Sequence, residues 1–367
     1  MSDLLTSPLN GRHLELNAVM GPFGGWSMPL SYPWGTVAEH TAVRQAVGVF
    51  DVSHLGKLDI TGPGAAEFVN RCLTADLGKI APGQAQYTLC CADDGGVVDD
   101  LIVYLVGPEE VFAVPNAANA QRVAELLGEA APPGITVRDR HRDLAVIAVQ
   151  GPRSADLLAR HVPAAAELDY MAFTDTDTSA GPVRVCRTGY TGERGYELIV
   201  PADRAVETWD LLVAGLDELD GRICGLGARD TLRTEMGYPL HGQDLSPDIS
   251  PVQAGLGWAV GWAKPEFWGR DALLAERQAG PARRLRGLRA RARGVPRAGM
   301  AVLDSAGRRV GTTTSGTFSP TLRIGIALAL IETDSGVDLD DTVVVDVRGR
   351  PLECTVVKPP FVPSHVR

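Results

Sequence analysis

The sequence predicts an α+β chain that ends in a small all-β barrel or roll. Three observations carry this. Up to residue 277, helical and strand patterns alternate without a strict period, and several strands neighbour each other as hairpins do. That arrangement argues α+β over a doubly wound sheet. Near residue 277 the composition changes, and Gln278-Ala279-Gly280-Pro281-Ala282 reads as a linker. Beyond it, short strand-like runs follow one another with little helix. The expected division is therefore a 1–277 region and a 283–367 barrel. A chain of 367 residues suits two or three domains.

The first helix is predicted at 35–47, where Val37, Ala38, Ala42, Val43 and Val47 recur at helical spacing. A strand follows at 56–61, closed by Gly62-Pro63-Gly64. Further helices are predicted at 65–73, 117–130, 152–161 and 202–216. Strands lie between them near 84–91, 97–106, 110–115, 143–149, 182–187 and 196–200. The barrel strands are predicted at 284–291, 299–304, 308–314, 323–332, 342–348 and 352–357. Turns at Asp304-Ser305-Ala306-Gly307 and Arg348-Gly349-Arg350-Pro351 punctuate them.

A net charge of -10 argues against nucleic acid or an anionic membrane surface as the main partner. No apolar stretch approaches the ~20 residues of a spanning helix. Met1-Ser2-Asp3-Leu4-Leu5 has no basic region leading into an apolar core, so a cytoplasmic location is expected. The six cysteines are scattered and the histidines form no ligand-spaced cluster with them, so reduced thiols and no metal site are expected.

Asp99 and Asp100 interrupt the apolar strand 97–106. Successive strand residues face opposite sides, so Asp100 shares a face with Val98, Ile102 and Tyr104, and Asp99 with Val97, Leu101 and Val103. At least one carboxylate must point where apolar residues point, which is costly unless it binds something. The plainer reading has both carboxylates bonded to the backbone of the Gly95-Gly96 turn. Glu197 poses the same question in the strand after the Gly-rich turn 188–195. Its plainer reading is a cross-hairpin pair with Arg187. Arg229 sits in the first turn of a helix opened by Gly225-Leu226-Gly227, a poor place for a cation against the helix dipole. It wants a carboxylate partner, from the protein or from a ligand. The Gly-x-Gly lacks the third glycine and the strand setting of a dinucleotide site. Tyr87 offers a flat ring with a polar tip, and Asn116 read alone is a helix cap. Arg289, Arg291 and Arg293 alternate on what reads as a solvated edge strand, or else as a docking surface for an acidic protein or a polyanionic ligand tail.

Together, several segments resemble the glycine cleavage T-protein family of tetrahydrofolate-dependent aminomethyltransferases. They are Phe23-Gly24-Gly25-Trp26-x-Met28-Pro29, Glu39-His40-x-Ala42-Val43-Arg44, Phe50-Asp51-Val52-Ser53-His54, Gly95-Gly96-Val97-Val98-Asp99-Asp100, Arg187-Thr188-Gly189-Tyr190-Thr191-Gly192-Glu193, Gly225-Leu226-Gly227-Ala228-Arg229-Asp230 and Thr314-Ser315-Gly316-x-x-Ser319-Pro320-Thr321. The resemblance covers essentially the whole chain. It implies a three-lobed, cloverleaf-like folate-binding fold with two interleaved α+β lobes and a C-terminal β-barrel. It implies Asp100 as the catalytic carboxylate beside N5 and N10 of the folate. Glu197 and Arg229 would read the pterin edge, Tyr87, Asn116 and Tyr190 would line the pocket, and Arg367 would meet the folate tail. The implied partners are tetrahydrofolate as co-substrate and the lipoylated H-protein; no metal or flavin is implied. Asn17 and Thr234 depart from the family pattern outside the assigned pocket. Two other readings are a folate-dependent demethylase and a non-catalytic folate-binding accessory protein of the same superfamily. Members of the latter resemble Lys-Gly-Cys-Tyr at the turn, where this chain has Gly189.

Overall fold

The computed structural model describes residues 4–367. A three-stranded sheet is built from Leu5–Thr6, Trp26–Ser31 and Val19–Phe23, in that order. A six-stranded sheet runs Phe173–Thr178, Gly181–Cys186, Gly195–Pro201, Leu144–Gln150, Gly48–Asp51 and Arg222–Cys224. Its last pair is parallel and the others antiparallel. A five-stranded antiparallel sheet runs Gln84–Cys91, Val97–Gly107, Glu110–Val114, Leu58–Thr61 and Thr136–Asp139. Six strands between Arg283 and Val357 close into a barrel.

The two larger sheets face each other, and strand alternation decides what lies between them. Ile147 and Val149 point to a core shared with Trp209 and Leu212 of the helix Ala205–Ala214. Val146 and Ala148, one residue out of phase, point into a second core with Phe50, Phe173, Ile199, Tyr104 and Phe112. Leu101 and Val103 face a third core, with Phe68 and Val69 of the helix Ala65–Cys72 and Val123 and Leu127 of the helix Ala120–Ala130. The face of Asp100, Ile102 and Tyr104 therefore looks into the space between the sheets. The face of Asp99 looks the other way.

The elements follow the expected order, with local differences. The helix expected at 152–161 is only Ser154–Leu158, and that at 202–216 opens with a 3-10 turn before Ala205. The strands Val19–Phe23 and Trp26–Ser31 are not among those expected; they pair as the hairpin of the small sheet, with Pro22 and Pro29 inside it. The linker is shorter than expected, since a helix Arg270–Ala279 runs into it and ends at Gly280 with φ 83°. The strand Arg283–Ala290 is paired on both sides, so Arg289 does not lie on a sheet edge. Closure of the barrel removes the edge. Arg289, Arg291 and Arg293 are exposed, and Arg291 donates to Thr342 Oγ1 at 3.0 Å. All six cysteines lie among the described residues, buried and unpaired. No helix among the described residues is long and apolar enough to cross a membrane.

Candidate active site

The adjacent carboxylates have different surroundings. Asp99 is fully buried. Its Oδ2 accepts the Asn116 backbone N–H at 2.9 Å, and its Oδ1 accepts the Nδ2 groups of Asn116 and Asn119 at 2.9 and 2.6 Å. It anchors the loop between the strand Glu110–Val114 and the following helix. Asp100 is partly open. Its Oδ2 accepts the Tyr87 hydroxyl at 3.0 Å and its Oδ1 the Asn116 Nδ2 at 2.9 Å. Neither carboxylate bonds the Gly95-Gly96 turn: Gly95 N donates to Ala92 O and Gly96 N to Asp94 Oδ1. Burial pushes both carboxyls above the ordinary range, and the charge of Asp100 pushes Asp99 further. Asn116 is no cap. The helix begins after Asn119, and the Asn116 amide instead spans both acids.

A relay the sequence reading missed runs behind this pair. His241 Nε2 donates to Val97 O at 2.9 Å, which leaves Nδ1 to accept from Asn119 Nδ2 at 2.9 Å. His241 and Asn119 lie far apart in sequence and no local pattern links them.

Along the face of Asp100, the Tyr104 hydroxyl lies 3.3 Å from Thr188 Oγ1, and Thr188 donates to Glu197 Oε2 at 2.5 Å. The expected Arg187–Glu197 pair does not form. The Arg187 Nη2 donates to Val366 O at 3.0 Å, fixing the C-terminal tail. The Gly-rich turn is shaped by Gln150, whose amide donates to Thr188 O and Tyr196 O and accepts from Thr191. A Cβ at Gly189 or Gly195 would strike the Gln150 side chain.

Arg229 has no ion pair or hydrogen bond among the described residues; the nearby Asp230 pairs with Arg233 instead. Its guanidinium lies 4.7 Å from the centre of the Tyr190 ring. Burial lowers its pKa, and the charge of Glu197 opposes that shift. Of the two partners open to Arg229, a protein carboxylate is not paired with it among the described residues, and the half-buried cation lies over the Tyr190 ring within electrostatic reach of Glu197. The Tyr190 hydroxyl donates to Pro239 O. His54, which the sequence reading left without a role, is buried with an unpartnered Nδ1. Burial, then the charge of Arg229, bring it down to about 3, so it is neutral.

The Gly-x-Gly before Arg229 directly follows a strand, Arg222–Cys224, contrary to expectation, and it serves packing. A Cβ at Gly225 would strike the Leu30 carbonyl, and one at Gly227 would lie 2.9 Å from Leu30 O. The buried Glu39 holds this approach by accepting Gly225 N at 2.9 Å and Tyr32 N at 2.6 Å. Arg367 is exposed, 5.8 Å from the Tyr170 ring, where the tail returns to the six-stranded sheet. The departures also have local accounts: Asn17 takes φ 56°, a conformation asparagine tolerates, and the buried Thr234 donates to Asp230 O.

The structure thus brings Tyr87, Asp100 and Asn116 into one hydrogen-bonded group, sets Arg229 over the Tyr190 ring within electrostatic reach of Glu197, and leaves Arg367 beside Tyr170. Residues 9–264 match the GCVT N-terminal domain family, and residues 283–363 match the glycine cleavage T-protein C-terminal barrel domain. The chain is 60% identical over 366 residues to an aminomethyltransferase of Mycobacterium avium, covering 100% of this chain and 99% of that one. It is 61% identical over 368 residues to one from Frankia alni, with all of both chains covered. The crystal structure of the glycine cleavage system aminomethyltransferase T from Bartonella henselae superposes with a TM-score of 0.91 at 34% identity, covering 99% of each chain. With both domain families matched in order and full-length relatives on either side, the chain belongs to the glycine cleavage T-protein family of aminomethyltransferases.

Proposed function

We propose that this aminomethyltransferase moves the methylene unit of an aminomethyl group on the lipoyl sulfur of H-protein to tetrahydrofolate. The products are 5,10-methylenetetrahydrofolate, ammonia and dihydrolipoyl H-protein. The carbon breaks its bonds to sulfur and to nitrogen and forms bonds to N5 and N10. The two protons displaced from N5 and N10 leave with the thiol and the ammonia.

The observation that carries the reading is the asymmetry of the acid pair. Asp99 is fully engaged in holding a loop, whereas Asp100 faces the space between the sheets with its carboxylate held by Tyr87 and Asn116. A carboxylate fixed there orients the reacting nitrogens and stabilises positive charge as it develops on the carbon. Arg229, a cation with no ion pair or hydrogen bond among the described residues, and Glu197 offer a donor and an acceptor to the pterin edge. Tyr190 supplies a flat wall beneath Arg229. Arg367 meets the anionic folate tail. Holding both substrates together supplies much of the remaining rate.

Gly189 speaks against an accessory protein with a cysteine at this turn, since any Cβ there would displace the Gln150 amide. The deciding experiment measures 5,10-methylenetetrahydrofolate formed from tetrahydrofolate and aminomethylated lipoyl H-protein, for wild type and Asp100→Ala in parallel. Production by wild type and its collapse in the variant is the expected result. A wild type that binds tetrahydrofolate and produces nothing would shift the reading to a demethylase or an accessory protein.

A further inference from the structure

Trp258 is 71% exposed, the most exposed of the large apolar side chains among the described residues. Isolated exposed apolar residues are ordinary. This one is set apart by its position: its ring stacks on Tyr87, centroids 5.4 Å apart and planes 25° from parallel. Tyr87 is the residue whose hydroxyl holds Asp100. One face of the indole is thus committed to the active-site tyrosine while most of its surface stays open to solvent.

The backbone beneath Trp258 is pinned. Its neighbours Leu256, Ala259 and Val260 are buried. Trp262 Nε1 donates to Gly257 O at 2.8 Å, and the Arg277 guanidinium sits 4.4 Å from the Trp262 ring centre. The open indole is therefore presented by a braced turn.

We infer that Trp258 is the contact for the S-aminomethyl thioether arm of the carrier, a specificity residue for the donor rather than for the folate. The inference rests on the transferase reading above. An arm of this kind combines an alkyl chain, a thioether sulfur and an ammonium group. Sulfur packs favourably against aromatic rings, and an ammonium is attracted to an indole face. The continuous path from Trp258 across Tyr87 to Asp100 ends on a carboxylate suited to that same ammonium. The pterin-reading groups, Arg229 and Glu197, belong to the other cluster, around Tyr190. Two substrates that meet at Asp100 then have separate approaches.

The test compares wild type, Trp258→Ala and Trp258→Phe. It reads KM and kcat for aminomethylated lipoyl H-protein, the Kd of tetrahydrofolate by calorimetry, and the inhibition constant of H-protein lacking the lipoyl group. Trp258→Ala is expected to raise KM for the loaded carrier by about five- to tenfold, the size of a lost sulfur–aromatic and cation–π contact. The folate Kd and the inhibition constant of the unlipoylated carrier should stay within about twofold, and Trp258→Phe should recover most of the loss. A weakened folate Kd with an unchanged carrier KM overturns the inference and gives Trp258 to the folate tail. An equal rise in the inhibition constant overturns it in favour of the carrier's protein surface, and no change in any constant overturns it outright. A wild type that makes no methylenetetrahydrofolate brings down the transferase reading itself, and this inference with it.

Discussion

At the scale of single residues, Asp99 and Asp100 show how one step along a strand separates structural from chemical work. Asp99 accepts three N–H groups, so an amide in its place sets donor against donor. Asp99→Asn is expected to cost about 2–4 kcal/mol in urea unfolding, the scale of a broken buried polar contact. Asp100→Asn keeps a compatible network, because the Tyr87 hydroxyl can turn to accept. That variant should unfold much as wild type does while turnover falls by about 10²–10⁴-fold. Equal losses of stability and turnover in Asp100→Asn would make its role structural. Burial also raises the Asp100 pKa, so activity that needs its charged form should rise with pH through an inflection above the ordinary carboxylate range. A wild-type rate profile that is flat there would count against ionised Asp100 as the active form. The sequence exposes both acids because an apolar strand makes them anomalous. It hides Asn119 and His241, whose roles exist only once a loop and a distant turn meet.

At the scale of elements, the helix Leu226–Met236 carries Arg229 to the site and its glycines fix where it starts. Gly225 lies against the Leu30 carbonyl while its N–H donates to Glu39, so backbone touches backbone with no room for a methyl group. Gly225→Ala should push the helix start away from the strand Trp26–Ser31 and cost about 2–4 kcal/mol of stability, in the range of overpacked sites. It should also weaken tetrahydrofolate binding, because Arg229 moves with the helix. Calorimetric folate binding equal to wild type would show that the helix start and Arg229 are not mechanically linked. The pattern Gly-x-Gly was visible in the sequence, whereas the strand Arg222–Cys224 that leads into it was not expected there. The cause of the pattern was hidden, because the chain it packs against lies some two hundred residues earlier.

At the scale of the whole molecule, two buried acids tie the barrel to the rest of the chain. Asp244 accepts from Arg233 and from the barrel hydroxyls of Thr314 and Ser315. Glu235 gathers Arg44 at 2.9 Å, His40 at 3.3 Å, and the hydroxyls of Ser319 and Thr321 at 2.5 and 2.9 Å. Its own carbonyl accepts from Phe361 as the tail starts back toward Arg367. The segment Thr314–Thr321 carries the family resemblance, yet its partners lie 70 and 84 residues away in sequence, so its docking role emerges only in three dimensions. Burial opposes ionisation of Glu235, but the hydrogen bond and charge of His40, then Ser319 and Arg44, outweigh it and bring the carboxyl down to about 2 from 4.5. A depressed carboxylate pKa contributes stability that is fully present above the unfolded value and is lost as pH falls through the folded one. Wild type should therefore lose stability between about pH 4.5 and 2, and Glu235→Gln should lack that part of the slope while being about 3 kcal/mol less stable at neutral pH. Urea unfolding followed by circular dichroism across that range measures both quantities. An unchanged acid slope in Glu235→Gln would mean that the barrel is held by apolar packing, with the hydroxyl–carboxylate contacts setting only its orientation.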